Sequence, residues 1–446
     1  MTTITQVKKR SGEVVAFKTE RIANAIYRAA VSVGGRDKEL SERLADVVVK
    51  YLETQVKPGS TPTVEEVQDA VEKVLIENAH ARVAKAYILY RDERTRLRKE
   101  RAATSERPSE NVPWAKIWRV LDWAVTHDVH TIDSYNDRIT RGELDAIITE
   151  SEAAYHEDIE NASNMILERR KDLKLVIITG PSSSGKTTTT LKVSERLKRA
   201  GMKLVALTVD NYFFDLEMHP KDEFGDYDFE TPYALDLPLV NDHINRLIAG
   251  DEVLIPFYDF KTGKRHLDHT PMRIGKDEVI LIDSLHGLFP EMTRGVSDER
   301  KFKLYLEPLL QMKTPSGEYI RWTDIRLMRR MLRDASFRAY DPTRTLLHWH
   351  YVRTSEMRFI IPFINTTDTV VNSAMPYELS IYQPRLIEQF ASWVEKYRSD
   401  PLQKDAFERA SRTFNFLKWI TPLHDQGVVP SDSVIREFIG GSVYQY

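Results

Sequence analysis

The chain has 446 residues, a formal net charge of −3 at pH 7 and no cysteine. Disulfides, thiolate zinc sites and a cysteine nucleophile are therefore excluded. The small net charge gives no general attraction to nucleic acid or membranes, so we expect neither partner. No apolar run approaches the roughly 20 residues of a membrane span, and the first residues do not resemble a signal peptide. We therefore expect a cytoplasmic protein.

Residues 1–95 predict a small α+β domain. Two short apolar runs, at 4–7 and 14–17, flank a Ser-Gly turn and predict two strands. Helical spacing of apolar residues then predicts helices at 20–32, 40–52, 64–78 and from 81 onward. Thr63, with Glu66 three residues later, predicts a capping box at the start of the third helix.

Residues 96–170 predict a linker followed by a helical segment. The basic run at 96–101 has no interleaved aromatic residues, which favours a solvated helix end over a nucleic-acid patch. Trp114 and Trp118 belong to an apolar stripe with Ile117 and Leu121. This spacing favours a place in the core for both tryptophans.

The residues at 180–187 fit the phosphate-loop pattern G-x-x-x-x-G-K-[ST]. An apolar strand is predicted before them, at 175–179, and a helix after them. In this setting backbone N–H groups and the helix N-terminus bind phosphates, Lys186 reaches the β- and γ-phosphates, and the Thr187 hydroxyl binds Mg²⁺. We therefore expect ATP and Mg²⁺ as ligands. The predicted nucleotide contacts are Gly180, Ser182, Ser183, Ser184, Gly185, Lys186, Thr187 and Thr188.

Two carboxylates follow predicted strands. Asp210 comes directly after the run at 204–209, at the edge where ligands bind in such sheets. It could accept a proton from an attacking hydroxyl or be an ordinary turn residue. Asp283 ends the apolar run at 279–282, which predicts a carboxylate near Mg²⁺.

An arginine series follows at Arg326, Arg329, Arg330, Arg333 and Arg338. Guanidinium groups suit the charge on a transferring phosphoryl group. A solvated helix surface is the alternative interpretation of the same spacing.

Residues 171–375 alternate strand and helix patterns, which predicts a mostly parallel sheet with helices on both faces. The strand candidates are 175–179, 203–209, 253–257, 278–283 and 302–306, with further strand-like runs at 359–361 and 370–371. Residues 376–446 predict a helical C-terminal extension, with helices between about 378 and 419.

Together these motifs resemble the phosphoribulokinase/uridine kinase family over roughly residues 172–373. The ending at 435–442, Ile-Arg-Glu-Phe-Ile-Gly-Gly-Ser, is similar to a uridine-kinase-like subgroup. The resemblance implies a P-loop kinase in which Asp210 is the catalytic base, Asp283 the second-strand acid, and Arg333 and Arg338 the lid arginines. It also implies substrate contacts from Tyr212, Phe229, Glu230, Tyr258 and Phe260.

The chain departs from that family at three positions. Gly263 stands where uridine enzymes carry a base-reading histidine, Tyr340 replaces a lid arginine, and Ser284 replaces a glycine. Without a side chain that hydrogen-bonds the base, the site is expected to select a different acceptor. His266 could substitute, or Lys264 and Arg265 could favour an anionic acceptor; all three could equally be ordinary loop residues.

The N-terminal domain resembles an ATP-cone, a nucleotide-sensing module, through residues 7–12, 64–72 and 83–91. The resemblance implies that Lys9, Arg10 and Lys85 bind the triphosphate of ATP or dATP. A degenerate cone kept for dimerisation is the alternative.

The leading hypothesis is an ATP- and Mg²⁺-dependent kinase for a nucleoside-like or sugar-like hydroxyl acceptor, regulated through the cone and assembled as a homo-oligomer. The alternative is a catalytically inactive ATP- or dATP-sensing regulatory protein. The predicted domains are the cone (1–95), the linker and helical segment (96–170), the kinase domain (171–375) and the C-terminal extension (376–446).

Overall fold

The computed structural model describes residues 4–8, 14–33, 35, 37–56, 60–88, 111–219, 230–337, 341–400 and 403–445. The described residues up to 88 belong to one compact unit and those from 111 onward to a second. Some predicted functional residues lie outside the described residues: Lys9, Arg10, Phe229, Arg338 and Tyr340.

The first unit is a strand pair with helices. Strands β1 (Gln6–Lys8) and β2 (Val14–Ala16) pair antiparallel. The helices are α1 (Thr19–Ser32), α2 (Lys38–Gln55), α3 (Val64–Glu77) and α4, which includes residues 81–88. The capping box of Thr63 and Glu66 is present at the start of α3, as predicted. The α+β prediction for this region is confirmed.

The second unit is built around a parallel sheet. Its strands are β3 (Leu175–Thr179), β4 (Lys203–Ala206), β7 (Glu278–Ser284), β8 (Lys301–Glu307) and β9 (Thr369–Asn372). Within the described residues their order is β4-β7-β3-β8-β9, and every neighbouring pair is parallel. The predicted parallel sheet is therefore confirmed.

Side chains of the central strands alternate between two cores, because successive residues of a strand point to opposite faces. On β3, Val176 and Ile178 join one core, while Leu175 and Ile177 join the other. Burial on both faces explains why this strand is apolar throughout. The helices around the sheet are α5 (Trp114–Thr126), α6 (Ile132–Thr140), α7 (Leu144–Glu168), α8 (Lys186–Arg199), α9 (Leu237–Ala249), α10 (Trp322–Phe337), α11 (Pro342–Phe359), α12 (Glu378–Tyr397), α13 (Lys404–Leu417) and α14 (Arg436–Ile439).

Some strand predictions were wrong in detail. The run at 253–257 does not join the parallel sheet; it lies in β5 (Val253–Asp259), which forms an antiparallel hairpin with β6 (Lys264–Met272). Strand β6 was not predicted, since most of its residues are exposed and give no apolar alternation. The run at 359–361 ends α11 and begins a 3₁₀ turn.

The tryptophans of α5 are not in the core, contrary to expectation. Trp114 is 53% exposed and Trp118 is 68% exposed. The buried face of α5 carries Val120 and Ala124 instead. The two tryptophans thus lie outside the buried face of α5. Helical spacing shows which residues share a face, but it does not show which face is buried.

The helices before and after the sheet share its core. Tyr155 and Ile159 of α7 and Leu386 and Phe390 of α12 all belong to the same apolar cluster as β3. Residues on both sides of the boundaries predicted at 170 and 375 are therefore packed in one compact unit. No helix among the described residues has the length and hydropathy needed to cross a membrane.

Candidate active site

The loop at 180–185 requires its glycines for steric reasons. A Cβ on Gly180 would lie 2.2 Å from the Leu306 carbonyl oxygen, and Gly185 has a φ of +94° that disfavours other residues. Helix α8 begins directly afterwards at Lys186. The sequence pattern therefore produces a tight turn between a buried strand and a helix N-terminus.

This loop fits a phosphate chain. Among the described residues, the Ser183 and Ser184 hydroxyls are buried without a hydrogen-bond partner, and buried polar groups are normally paired. Lys186 Nζ donates to the Pro181 carbonyl, 3.3 Å away. Burial lowers the pKa of Lys186, while the charge of Asp283 opposes that shift. These are the groups expected around a bound triphosphate.

Asp283 lies beside the phosphate loop because of the strand register. It pairs in the sheet with Ile178, two residues before Gly180. Burial raises its pKa to about 6, the charge of Lys186 lowers it, and the charges of Glu437 and Asp210 raise it further. Asp283 is thus close enough to both Lys186 and Asp210 for their charges to affect its pKa.

Thr187 and Asp283 could hold Mg²⁺. No group of three or more histidine, aspartate or glutamate side chains suited to a metal occurs among the described residues. Mg²⁺ in nucleotide sites is commonly bound by one or two protein groups with phosphate oxygens and water completing the shell. The residues present fit that mode.

Asp210 lies in a short 3₁₀ helix, Val209–Tyr212, and not at a strand end as predicted, because β4 ends at Ala206. Its side chain is exposed. The neighbouring Tyr212 is fully buried, and its hydroxyl lies 2.9 Å from His243 Nδ1. Tyr212 is therefore buried in the core, and its contact with an acceptor stays a prediction.

The arginines of α10 are not a solvated surface. Arg326 and Arg329 are fully buried. Arg326 Nη2 donates to Glu356 at 2.9 Å, and Arg329 Nη2 donates to Glu378 at 2.9 Å. Each also reaches the phosphate loop, since Arg326 Nη1 lies 3.2 Å from the Ser182 carbonyl and Arg329 Nη1 lies 3.3 Å from that of Ser184. These two side chains hold the loop backbone in place.

Two further arginines of α10, Arg330 and Arg333, are only partly buried. Arg330 Nη1 donates both to Ser182 Oγ at 3.1 Å and to Glu230 Oε1 at 2.9 Å. It thereby links the phosphate loop to the predicted acceptor-binding glutamate. Arg333 Nε lies 3.4 Å from Asp334 Oδ1, and the charge of Arg333 lowers the pKa of Lys186.

An aromatic cluster marks the predicted acceptor pocket. The Tyr258 ring lies 5.5 Å from that of Phe213 and 5.0 Å from that of Phe260. Tyr258 is buried, whereas Phe260 is 68% exposed. The backbone N–H of Tyr258 donates to Asn211 Oδ1 at 3.3 Å, which ties the hairpin to the turn carrying Asp210. The structure therefore brings Tyr258 and Phe260 together.

Gly263 has no room for a side chain. A Cβ there would lie 2.9 Å from the Leu216 Cβ, and its φ is +68°. Its basic neighbours are paired with carboxylates: Lys264 with Asp215 at 3.2 Å, and Arg265 with Asp236 at 2.9 Å. His266 is exposed on the hairpin.

Sequence reasoning missed the role of Glu437. Its Oε2 accepts hydrogen bonds from Thr188 N at 3.0 Å and from Thr188 Oγ1 at 2.9 Å. Thr188 was predicted to contact phosphate, but the structure gives its first-turn N–H a carboxylate partner. The signal available in the sequence was the subgroup ending at 435–442, which includes Glu437 but does not show what it contacts.

Comparison with known proteins gives two domain matches. The ATP cone domain matches residues 5–96, and the phosphoribulokinase/uridine kinase family matches residues 175–379. The uridine kinase of Borrelia duttonii is 30% identical over 226 residues, covering 48% of this chain and 97% of that kinase. The chain belongs to the phosphoribulokinase/uridine kinase family.

Other similar proteins agree with this division of the chain. The uridine kinase of Deinococcus deserti is 26% identical over 195 residues, covering 44% of this chain and 84% of that kinase. The vitamin B12-dependent ribonucleoside-diphosphate reductase of Thermoplasma acidophilum is 43% identical over 103 residues. That match covers 22% of this chain and 13% of the reductase. Kinase-family and cone-type regions are thus joined in one chain.

Proposed function

We propose that this protein transfers the γ-phosphoryl group of ATP to a hydroxyl of a neutral, nucleoside-like or sugar-like acceptor. The observation that carries the proposal is the proximity of Lys186, Asp283 and Asp210. Phosphoryl transfer depends mainly on positioning and on electrostatic stabilisation. A P-loop kinase needs a lysine that binds phosphate and carboxylates near the metal and the acceptor for phosphoryl transfer.

The proposed mechanism assigns one task to each group. The loop N–H groups and Lys186 hold the β- and γ-phosphates of ATP. Asp210 orients the acceptor hydroxyl and takes its proton as the oxygen attacks phosphorus. Arg333, together with Arg338, offsets the charge of the transferring group. Bound Mg²⁺, held by Thr187 and Asp283, would neutralise phosphate charge.

The charge distribution supports a neutral acceptor. The basic residues around the predicted acceptor pocket have carboxylate partners: Lys264, Arg265 and Arg330. An anionic acceptor would have to compete with those carboxylates. Glu230 and the aromatic pair Tyr258 and Phe260 instead suit hydroxyl groups and a flat ring.

A phosphotransfer screen tests this proposal. The full chain is incubated with ATP and Mg²⁺ and with nucleosides, sugars, polyols and phosphorylated sugars, and ADP formation is measured. We expect turnover with a neutral acceptor and none for Lys186→Ala. Tight ATP binding without turnover on any acceptor would favour the alternative, a nucleotide-sensing regulatory protein, which the side-chain-free position at Gly263 also supports.

We further propose that the cone binds ATP or dATP and adjusts kinase activity, with Lys9, Arg10 and Lys85 as the triphosphate contacts. Lys85 is exposed on α4, where a ligand could reach it. Assembly into a homo-oligomer and a cytoplasmic location, where ATP is supplied, complete the proposal.

A further inference from the structure

His286 is a buried histidine that the proposed mechanism leaves unused. It lies two residues beyond β7 and is only 4% exposed. The backbone of Glu230 hydrogen-bonds one side of the imidazole, and within the described residues no other group pairs with a ring nitrogen. Buried polar groups in folded proteins are nearly always paired, so the remaining ring nitrogen is available for a further partner.

The backbone around His286 is fixed. Its N–H donates to Ser284 Oγ at 3.3 Å, and the preceding Leu285 carbonyl accepts from Thr179 Oγ1 at 3.3 Å. A Cβ on the next residue, Gly287, would lie 2.5 Å from Ile177 Cγ2, so the chain packs directly on β3. The imidazole therefore projects from a rigid turn.

The ring lies beside Glu230, the predicted acceptor-binding glutamate, whose backbone it hydrogen-bonds. Burial lowers the pKa of His286 to about 3, the hydrogen bond with the Glu230 backbone opposes that shift, and the charge of Lys186 adds to it. On another side the Phe359 ring meets it edge-on, with centroids 6.2 Å apart. His286 is therefore next to the predicted acceptor-binding residue Glu230 and near enough to Lys186 of the phosphate loop for that charge to affect its pKa.

A neutral imidazole offers one N–H donor and one acceptor nitrogen. With the N–H directed to the backbone of Glu230, the other nitrogen is an acceptor; a hydroxyl group can donate to it, whereas an ionised phosphate or carboxylate offers acceptors only. Since Gly263 contributes no side chain, polar recognition of the acceptor must come from elsewhere in the pocket.

We propose that His286 binds the acceptor, its remaining ring nitrogen accepting a hydrogen bond from a hydroxyl group next to the one that is phosphorylated. It is a specificity-determining residue that favours neutral polyhydroxyl acceptors over phosphorylated ones. The inference rests on the proposed kinase function and adds the side chain that selects the acceptor class.

The first test separates binding from packing. His286→Leu keeps the volume and removes both nitrogens, so a packing role predicts little change in either Michaelis constant. We expect the KM for the best neutral acceptor to rise on the order of tenfold or more, with the KM for ATP unchanged. His286→Asn or His286→Gln, which can still hydrogen-bond, should recover part of the loss. His127→Leu, which removes an imidazole just after the end of α5, serves as the control and should leave both constants unchanged.

The second test needs no turnover. Full-length protein carrying ¹⁵N-histidine is saturated with a non-hydrolysable ATP analogue and Mg²⁺, then titrated with uridine, adenosine or ribose, and separately with ribose 5-phosphate. The His286 ring signals, assigned by their absence in His286→Asn, should shift with a neutral compound and not with ribose 5-phosphate.

The two proposals fail in different ways. Absence of turnover on every acceptor overturns the kinase function, while shifted His286 signals would still support acceptor binding. Turnover with an unchanged acceptor KM in His286→Leu, and unshifted ring signals, would overturn the role of His286. An equal rise of both Michaelis constants together with a lower melting temperature would overturn it as well, because that pattern indicates packing.

Discussion

Burial of Asp283 changes the pH range in which its carboxylate is charged. Its pKa is raised to about 6, chiefly by burial, and Mg²⁺ requires the charged carboxylate. We therefore expect Mg²⁺-dependent binding of a fluorescent ATP analogue to weaken as pH falls from 7.5 to 5.5. Asp283→Asn should bind more weakly at both pH values and lose most of the pH dependence. An unchanged pH profile in this variant would contradict the assignment.

The same shift makes a prediction about stability. The folded-state pKa of Asp283 lies above the unfolded value of 3.8. Asp283 therefore contributes most to the free energy of unfolding at pH values below 3.8. As pH rises to about 6 and beyond, the contribution is lost, because the folded state holds a buried charge. Without Mg²⁺, Asp283→Asn should therefore melt at a higher temperature than the parent at pH 7.5. The difference should shrink toward pH 4 in thermal melts.

Asp210 provides the sharpest test of the chemistry. Asp210→Asn keeps the side-chain shape but removes the proton acceptor, so turnover should fall by about 10²- to 10⁴-fold. ATP affinity should stay near that of the parent protein, since Asp210 is exposed on a 3₁₀ turn. Steady-state kinetics and equilibrium nucleotide binding measure the two effects. Full turnover in the variant would exclude Asp210 as the base.

Helix α10 supports the phosphate loop through buried charge pairs. Arg329→Met leaves Glu378 buried and unpaired, which should cost about 3–5 kcal/mol of unfolding free energy. The exposed pair of Arg398 and Glu395 offers a control, and Arg398→Met should cost less than about 1 kcal/mol. Urea unfolding of the three proteins gives the comparison. Similar losses for the two variants would show that Arg329 is no more important than a surface arginine.

The sequence identified α10 as an arginine-rich helix but not its environment. Helical spacing is a local property, whereas the partners Glu356 and Glu378 lie 30 and 49 residues from Arg326 and Arg329. The hairpin strand β6 shows the same limit, because an exposed strand is specified by its pairing with β5 and has no apolar pattern. By contrast, the phosphate loop and Thr63 were predictable, since their geometry depends on residues only a few positions apart.

At the level of the whole molecule, the described residues of the first unit have a core of their own. Deletion of residues 1–95 should therefore leave a folded kinase with basal activity within about twofold of the parent, in line with independently folding domains. At saturating substrate ATP, we expect the deletion to remove the response of activity to added dATP and to reduce assembly. Activity assays with dATP titration and light scattering test both effects. If neither changes, the cone does not regulate this chain.

The overall architecture was predictable because buried parallel strands leave strong apolar signals at regular intervals. The contact between the C-terminal residues and the phosphate loop was not predictable from the sequence. Val434 Cγ2 would lie 2.4 Å from a Cβ on Gly185, so the segment before α14 packs tightly on the phosphate loop. Contacts of this kind join two segments that are distant in the sequence, and neither segment carries a periodic pattern of apolar residues that would predict the contact.

The hydrogen bond between Thr188 and Glu437 joins residues 249 positions apart. During synthesis, the loop and α8 leave the ribosome long before their carboxylate partner has been made. Contacts this distant in sequence slow folding, and partly folded chains expose surfaces prone to aggregation. The contact that secures the phosphate loop can therefore form only after residue 437 has been made. Ribosome-bound chains arrested before residue 437 should accordingly be more sensitive to proteases than released protein.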